Sequence, residues 1–257
     1  MLATQEPGNI TGHITNLPRV NPTFVIGGEL EVRRVGFGAM RIVGDRAEGV
    51  RVVRRAVELG VTLIDTADIY GAGVSEEVIA EALHPYPDDL VIATKGGLGY
   101  GLQERIRDGR PKYLRRACEA SLRRLKLERI DLYQLHRHDP EVPIEESVGA
   151  LEELRQEGKI RLIGLSNMSV GQLRQAQSVA TIVSVQNEYN RGLLTSDPVV
   201  DACEAEGIAF FPWRPLGESL GEPASEIRWL LDRSPVILPI PGTSKVEHLE
   251  ANMQAVL

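Results

Sequence analysis

The amino-acid sequence has little of what marks the specialised classes of protein. Its 257 residues include only two cysteines, Cys118 and Cys203, which excludes a disulfide scaffold. Both cysteines lie in helix-like segments, where we expect buried free thiols. Aromatic residues make up 5% of the chain. No apolar run reaches the length of about 18 residues that a membrane span needs, so no membrane association is expected.

The N-terminal segment also lacks the features of a targeting signal. Residues 1–23 have no basic start and no apolar run, but contain three prolines and two glycines among Thr and Asn. We therefore expect residues 1–23 to form a flexible tail, and we expect a cytoplasmic protein.

The charge balance excludes a further class. There are 29 Lys and Arg residues against 36 Asp and Glu residues, which gives a net charge of −7. This is the wrong sign for a protein that binds the phosphate backbone of nucleic acids, so no nucleic-acid partner is expected. With 42% hydrophobic and 25% charged residues, the composition is that of a globular protein. A length near 250 residues is typical of a single barrel of eight strand–helix units.

The hydrophobic pattern predicts such a barrel. Two apolar runs around Gly27-Gly28 predict an N-terminal β-hairpin over Phe24–Val32. From Arg34 onward, short apolar runs alternate eight times with amphipathic helical patterns. The predicted strands are Val35–Met40, Thr62–Asp65, Leu90–Thr94, Ile130–Leu135, Ile160–Leu165, Ile182–Val185, Ile208–Phe211 and Pro235–Leu238. We predict the α/β class, with a (β/α)8 TIM barrel over residues 24–257 as a single domain. An open dinucleotide-binding sheet is disfavoured because Gly36-Phe37-Gly38 has only two of the three glycines expected.

Polar residues concentrate where the predicted strands end, which is where barrels place their chemistry. Asp65 and Tyr70 follow strand 2, Lys95 follows strand 3 and His136 follows strand 4. Taken singly, each has an ordinary explanation, such as an ion pair between Asp65 and Lys95. Their convergence on one rim favours a catalytic function.

This combination makes chemical sense. A tyrosine is a poor acid at neutral pH because its pKa is about 10, and a nearby ammonium group lowers that pKa by favouring the phenolate. Lys95 is placed to supply the ammonium, Asp65 to hold the lysine, and His136 to position a carbonyl oxygen. The set predicts a general acid for a developing alkoxide. No nucleophile has an adjacent base, so acyl transfer is not indicated.

Six short motifs carry these residues in a fixed order along the chain. They are Asp65–Gly71 (DTADIYG), Thr94–Gly97 (TKGG), Asp131–His136 (DLYQLH), Gly164–Asn167 (GLSN), Val185–Asn190 (VQNEYN) and Ile240–Lys245 (IPGTSK). Through them the chain, from about Phe24 to its C-terminus, resembles the aldo-keto reductase family, as a short-loop, bacterial-type member.

The resemblance implies an NADPH-dependent reduction of an aldehyde or ketone to an alcohol. A nicotinamide cofactor would lie extended across the barrel and supply the hydride. Tyr70 would be the proton donor, with Lys95, Asp65 and His136 as its partners.

The resemblance also implies a set of cofactor-binding residues. Members of the set would hold the carboxamide, stack on the nicotinamide, bind the 2′-phosphate or lie at the adenine, and the phosphate contacts favour NADPH. The residues are Ser166, Asn167, Gln186, Trp213, Gly242, Thr243, Ser244, Lys245, His248 and Asn252.

The sequence departs from the family pattern at several positions. Arg214 stands where the family usually has serine, and Ala251 replaces a glutamate that precedes the adenine-binding asparagine. The segment from Leu216 to Ala224 is short, and the chain ends at Leu257, just after the last predicted helix. We therefore expect an open, shallow site with broad specificity and modest affinity for the cofactor.

The substrate pocket is predicted to have an aromatic and cationic lining, formed by Met40, Arg41, Tyr70, Tyr100, His138 and Trp213. Such a lining suits a small aromatic or anionic carbonyl compound, for example a pyridoxal-like aldehyde. The sequence does not define the oligomeric state.

Two other functions remain open. The short loop and Ala251 are compatible with a cofactor-binding sensor or regulatory barrel that turns over little. A metal-dependent hydrolase is suggested by His136-x-His138, but the ends of strands 5, 6 and 8 provide Ser166, Gln186 and Pro241 rather than further ligands. No metal is therefore expected.

Overall fold

A computed structural model of the chain describes residues 22–100, 105–218 and 222–255. Apart from residues 22 and 23, the predicted tail lies outside the described residues. Within these ranges, no helix is long and apolar enough to cross a membrane.

The chain first forms the predicted hairpin. Strand β1 (Thr23–Ile26) pairs antiparallel with β2 (Leu30–Arg33). The turn uses Gly27 and Gly28, whose φ angles of 60° and 74° favour glycine over residues with a side chain. The hairpin packs its apolar face against the N-terminal half of the barrel interior, through Ile26, Leu30 and Val32.

The rest of the described chain alternates strands and helices. The strands are β3 (Phe37–Gly38), β4 (Leu63–Asp65), β5 (Val91–Gly96), β6 (Leu98–Tyr100), β7 (Arg105–Arg107), β8 (Ile130–Leu135), β9 (Ile160–Ser166), β10 (Ile182–Glu188) and β11 (Ala209–Trp213). The helices are α1 (Arg46–Glu58), α2 (Val74–Leu83), α3 (Pro111–Leu125), α4 (Ile144–Gln156), α5 (Val170–Gln177), α6 (Asp197–Glu206), α7 (Pro223–Arg233) and α8 (Val246–Met253).

Seven strands form one parallel sheet in the order β3-β4-β5-β8-β9-β10-β11. The helices between them begin at recognisable caps: Asp45 accepts a bond from the Glu48 amide at the start of α1, and Ser169 and Gln172 form a capping box at α5. The antiparallel hairpin of β6 and β7, inserted after β5, was not predicted from the periodicity.

The position of the eighth barrel strand is occupied by a segment that is not a regular strand. The extended segment 236–241 nevertheless bonds to both neighbours. Leu238 donates to Phe210 O at 2.8 Å, while Gly36 donates to Pro239 O at 2.9 Å and Gly38 to Pro241 O at 3.2 Å. Prolines in this segment have no N–H to donate, so a complete ladder cannot form. The barrel still closes, which confirms the predicted (β/α)8 fold.

A buried arginine reinforces this closure. Arg34, 4% exposed, precedes β3 and donates to the carbonyl oxygens of Leu231, Ser234 and Ile237 at 3.0, 2.7 and 3.0 Å. Burial lowers the pKa of its guanidinium to about 10, against the attraction of Asp232. Arg34 thus links the start of β3 to the end of α7 and to the segment 236–241.

Both cysteines are buried free thiols, as predicted. Cys118 lies in α3 and Cys203 in α6, and burial raises the pKa of each thiol to about 12. At neutral pH both remain protonated, and they serve as small apolar groups in the helix packing.

Candidate active site

The centre of the site is a buried ion pair at the C-terminal ends of β4 and β5. Lys95 Nζ lies 2.7 Å from Asp65 Oδ2 and donates to Thr66 O at 2.8 Å. Asp65 Oδ1 accepts from the side-chain amides of Gln134 at 3.2 Å and Gln186 at 2.9 Å. Lys95 is fully buried and Asp65 nearly so, and hydrogen bonds hold both charged groups.

The surroundings keep Lys95 charged. Burial acts to lower the pKa of its ammonium, but attraction to Asp65 and Tyr70, with hydrogen bonding to both, outweighs burial and raises the pKa. The site thus contains a fixed positive charge at neutral pH.

Tyr70 lies above this charge, in a short 3-10 turn that follows β4. Lys95 Nζ is 5.4 Å from the centroid of its ring. The ring of His136 also contacts Tyr70, with the two ring centroids 6.0 Å apart and their planes at 84°. His136 directly follows β8 and is held by its backbone N–H, which donates to Gly96 O at 2.8 Å. The phenol therefore has both a cation and an imidazole as neighbours.

A second group of side chains forms a rigid wall beside Tyr70. Asn167, in the left-handed region with φ of 60°, donates to His136 O at 3.2 Å and to Ser166 Oγ at 2.8 Å. Its Oδ1 accepts from Trp213 Nε1 at 3.1 Å, which fixes the indole at the end of β11. This wall joins the ends of β8, β9 and β11.

These residues enclose a cavity of about 350 Å³. The cavity is bounded by the loop after β3, the C-terminal ends of the barrel strands and the loop after β11. Its lining includes Met40, Arg41, Asp65, Tyr70, Leu98, His136, Arg137, Ser166, Asn167, Gln186, Trp213, Arg214 and Gly242. The predicted residues of strands 2 to 7 thus converge on one space, although Lys95 lies beneath it.

A neighbouring cavity of about 620 Å³ contains the other end of the predicted cofactor site. Ser244, Lys245 and His248 line it, and Arg41 lines both cavities. Thr243 and Asn252 are buried and line neither cavity; Thr243 Oγ1 instead accepts from the Lys245 amide at 3.1 Å.

One member of the predicted substrate wall is placed differently. His138 does not line the cavity of about 350 Å³ around Tyr70; Arg107 donates to its carbonyl oxygen at 3.5 Å. The side chain of Tyr100 lies outside the described part of the chain.

Two residues of the candidate site, Gln134 and Arg137, were not predicted from the sequence. Gln134 supports Asp65, and its position two residues before His136 on β8 was the available signal, because alternate residues of a strand share a face. Arg137 lines the cavity.

The unusual Arg214 has a structural partner. It adopts φ of 49° and forms ion pairs with Glu188 at 3.1 Å and with Glu218 at 3.5 Å. Its carbonyl oxygen accepts from Asn190 Nδ2 at 3.1 Å. The arginine thus ties the shortened loop after β11 to the end of β10.

A metal site has no support here. Within the described residues, no group of three or more His, Cys, Asp or Glu side chains is placed to hold a metal ion.

Comparisons with known proteins agree with this geometry. A model of the Aldo/keto reductase family matches residues 34–227. An uncharacterized oxidoreductase of Schizosaccharomyces pombe is 42% identical over 254 residues, covering 89% of this chain and 83% of the relative. Pyridoxine 4-dehydrogenase of Escherichia coli is 40% identical over 264 residues, covering 91% and 92%. The crystal structure of an aldo/keto reductase from Klebsiella pneumoniae in complex with NADP and acetate matches with a TM-score of 0.79 at 27% identity, covering 92% of this chain and 90% of the other.

The closed barrel and its polar rim, together with these relatives, define a (β/α)8 oxidoreductase. The chain belongs to the aldo/keto reductase family, as its motifs predicted.

Proposed function

We propose that this protein reduces the carbonyl group of an aldehyde or ketone to an alcohol, with NADPH as cofactor and Tyr70 as proton donor. The observation that carries the proposal is the buried Asp65–Lys95 pair beneath the Tyr70 ring. When Tyr70 gives its proton to the carbonyl oxygen it becomes a phenolate, and the fixed ammonium stabilises that negative charge. Asp65 keeps Lys95 in place and charged.

His136 orients the substrate. Its ring lies roughly perpendicular to that of Tyr70 and lines the same cavity, so a carbonyl oxygen in the cavity can bond to both side chains. Holding the oxygen at the phenol fixes the direction of proton transfer and contributes to rate through orientation.

The residues present fit a nicotinamide cofactor. Ser166, Asn167 and Gln186 bring hydroxyl and amide groups to the cavity, which match the donors and acceptors of a carboxamide, while Trp213 offers a flat apolar face. When bound, NADPH supplies the hydride that reduces the carbonyl carbon.

The neighbouring cavity fits the phosphate of NADPH. Ser244, Lys245 and His248, with the shared Arg41, provide hydroxyl and cationic groups suited to the 2′-phosphate. The Klebsiella pneumoniae protein was crystallised with NADP, which supports the same cofactor here.

The relative in Escherichia coli suggests where to look for the substrate. That protein is named pyridoxine 4-dehydrogenase, so pyridoxal belongs in a panel with aromatic and sugar-derived aldehydes. NADPH oxidation over this panel tests the reaction.

Tyr70→Phe tests the role of the phenol. The variant loses the proton donor but keeps the ring, so we expect kcat to fall about 10²–10⁴-fold while NADPH affinity, measured by fluorescence titration, is unchanged. Tyr86→Phe is the matched control, because its hydroxyl donates to Leu125 O away from the cavity and its loss should leave kcat unchanged. A near-normal kcat in Tyr70→Phe would contradict the assignment of Tyr70 as the proton donor. Tight NADPH binding without turnover of any carbonyl by the unmodified protein would support a sensor instead.

A further inference from the structure

The catalytic cavity is cationic, although the chain as a whole carries a net charge of −7. Three arginines line it: Arg41, Arg137 and Arg214. The carboxylate that reaches its lining in the described part of the chain is Asp65, which already bonds to Lys95 and two amides. No other carboxylate lines the cavity in that part of the chain, so any partner of the arginines comes from outside the lining or from a bound anion.

Two of the arginines have other partners. Arg214 is paired with Glu188 and Glu218. Arg41 also lines the neighbouring cavity with Lys245 and His248, on the side that suits the cofactor phosphate. Their charges are accounted for without a substrate.

Arg137 is different. It is half-buried, and its guanidinium has neither a hydrogen bond nor an ion pair with another described residue. Partial removal of a cation from water without a partner is unfavourable, so such a group is stabilised when an anion binds. The residue directly follows His136 in the sequence and lines the same cavity as His136 and Tyr70.

A further polar cavity continues from this point. It has a volume of about 510 Å³ and shares Arg137, Asn167 and Trp213 with the catalytic cavity. Its carboxylate, Glu188, is neutralised by Arg214 at 3.1 Å. A substrate whose carbonyl lies at Tyr70 thus has room to extend past Arg137 without meeting an unpaired negative charge.

We propose that Arg137 binds an anionic group of the substrate, a carboxylate or a phosphate, and so sets the enzyme's preference for anionic aldehydes. This inference rests on the proposed carbonyl reduction. Trp213, Leu98 and Met40 supply the apolar surface for the body of such a substrate. A guanidinium suits both anions because it can donate two parallel hydrogen bonds.

Matched pairs of substrates test the preference. The 3- and 4-formylbenzoates are compared with their methyl esters, and pyridoxal 5′-phosphate with 5-deoxypyridoxal, which has no hydroxyl that could close on the aldehyde, in steady-state NADPH oxidation. We expect kcat/KM of the unmodified enzyme to be at least about tenfold higher for an anion than for its neutral partner, mainly through KM. A preference for formylbenzoate identifies a carboxylate substrate, and one for pyridoxal 5′-phosphate identifies a phosphate.

Arg137→Gln then locates the effect. The variant should lose about 10–100-fold in kcat/KM with the anionic aldehydes and keep its activity with the neutral ones and its NADPH affinity. Arg137→Lys should restore part of the loss because it restores the charge. Arg41→Gln is the comparison from the same cavity: it should weaken NADPH binding and leave the ratio of anionic to neutral substrates unchanged.

The outcomes separate this inference from the proposed function. Equal kcat/KM for acid and ester in the unmodified enzyme, or equal losses for both in Arg137→Gln, would overturn the role of Arg137 and leave carbonyl reduction standing. If no aldehyde is reduced, the proposed function fails, and calorimetric binding of formylbenzoate and pyridoxal 5′-phosphate to the NADPH-loaded protein decides the role of Arg137. Affinity that is lower in Arg137→Gln than in the unmodified protein supports it, and equal affinity overturns it.

Discussion

The two halves of the barrel interior use the same strands but opposite chemistry. In the N-terminal half, the inward side chains are apolar and pack under the β1–β2 hairpin in one cluster that includes Leu63, Val91, Leu132 and Leu162. Two or four residues further along the same strands, the inward side chains are Asp65, Lys95, Gln134 and Ser166, all buried. The N-terminal end of the barrel is an apolar core covered by the hairpin, and the C-terminal end is the candidate active site.

The difference shows what each kind of layer requires. The apolar layer gains stability from burial alone, in any arrangement that fills the space. The polar layer is stable only if each group finds its partner, because an unsatisfied buried charge is costly. Asp65 meets this condition with three donors. The hairpin end therefore contributes stability alone, whereas the groups at the opposite rim provide the chemistry and destabilise the fold if a partner is lost.

The largest expected effect comes from breaking the polar layer. Lys95→Met leaves Asp65 buried and unpaired, so we expect a loss of about 3–5 kcal/mol in the free energy of unfolding by urea. We also expect kcat to fall at least about 10²-fold, because the phenolate of Tyr70 loses its stabilising charge.

A second substitution separates these two effects. Asp65→Asn in the Lys95→Met background removes the unpaired charge and keeps an oxygen for Gln134 and Gln186. Stability should recover in large part while kcat stays low. If activity returned with stability, the ion pair would be structural only.

A smaller effect is expected from the apolar layer. Ile26→Ala removes a fully buried side chain from the hairpin plug and should cost about 2–4 kcal/mol in unfolding free energy. Val25, its neighbour on β1, is 47% exposed, so Val25→Ala should cost less than about 0.5 kcal/mol. Because the plug lies at the far end of the barrel, kcat should be unchanged in both variants. A fall in kcat for Ile26→Ala at a temperature where it remains folded would contradict the separation of the two ends.

The fold could be predicted from the sequence where the pattern is local. Apolar runs and amphipathic helical patterns predicted the barrel strands and their order, and Gly27-Gly28 predicted the hairpin turn. Periodicity did not predict the short hairpin of β6 and β7. It also did not predict how far the prolines at 235, 239 and 241 would disrupt the last strand of the barrel. That segment closes the barrel through backbone hydrogen bonds with Phe210, Gly36 and Gly38.

The site was predicted in part for a related reason. Asp65, Tyr70 and His136 could be found because each stands at the end of a predicted strand or just beyond it, and Lys95 because it follows an apolar run. Gln134 lies inside a strand and resembles an ordinary polar interruption, and Arg137 resembles a loop residue. Their significance depends on which side chains surround them, which three-dimensional packing decides.

The smallest expected effect concerns a polar group that is less well satisfied than Asp65. Asp68, in the loop after β4, has a buried Oδ1 with no hydrogen-bond partner in the described residues. Burial, and then repulsion from Glu76, raise the pKa of its carboxyl to about 7, against attraction to Arg124 and Lys95. The fold therefore holds the carboxyl of Asp68 more easily in its neutral form.

This difference predicts how stability depends on pH. An unfolded chain ionises such a carboxyl at its ordinary pKa of 3.8, and the folded chain only at about 7. Below the lower value both states are protonated and the group costs nothing. As the pH rises between the two values the unfolded state gains more from ionisation, so the protein loses stability, and above about 7 the full cost remains. Asp68→Asn has no ionisation to lose, so its stability relative to the unmodified protein should rise by about 2–3 kcal/mol between about pH 5 and about pH 8. Urea unfolding at the two pH values measures this change, with Asp88→Asn as the exposed control, for which the same difference is expected at both. If the difference in unfolding free energy between Asp68→Asn and the unmodified protein were also the same at both pH values, ionisation of Asp68 would not destabilise the fold.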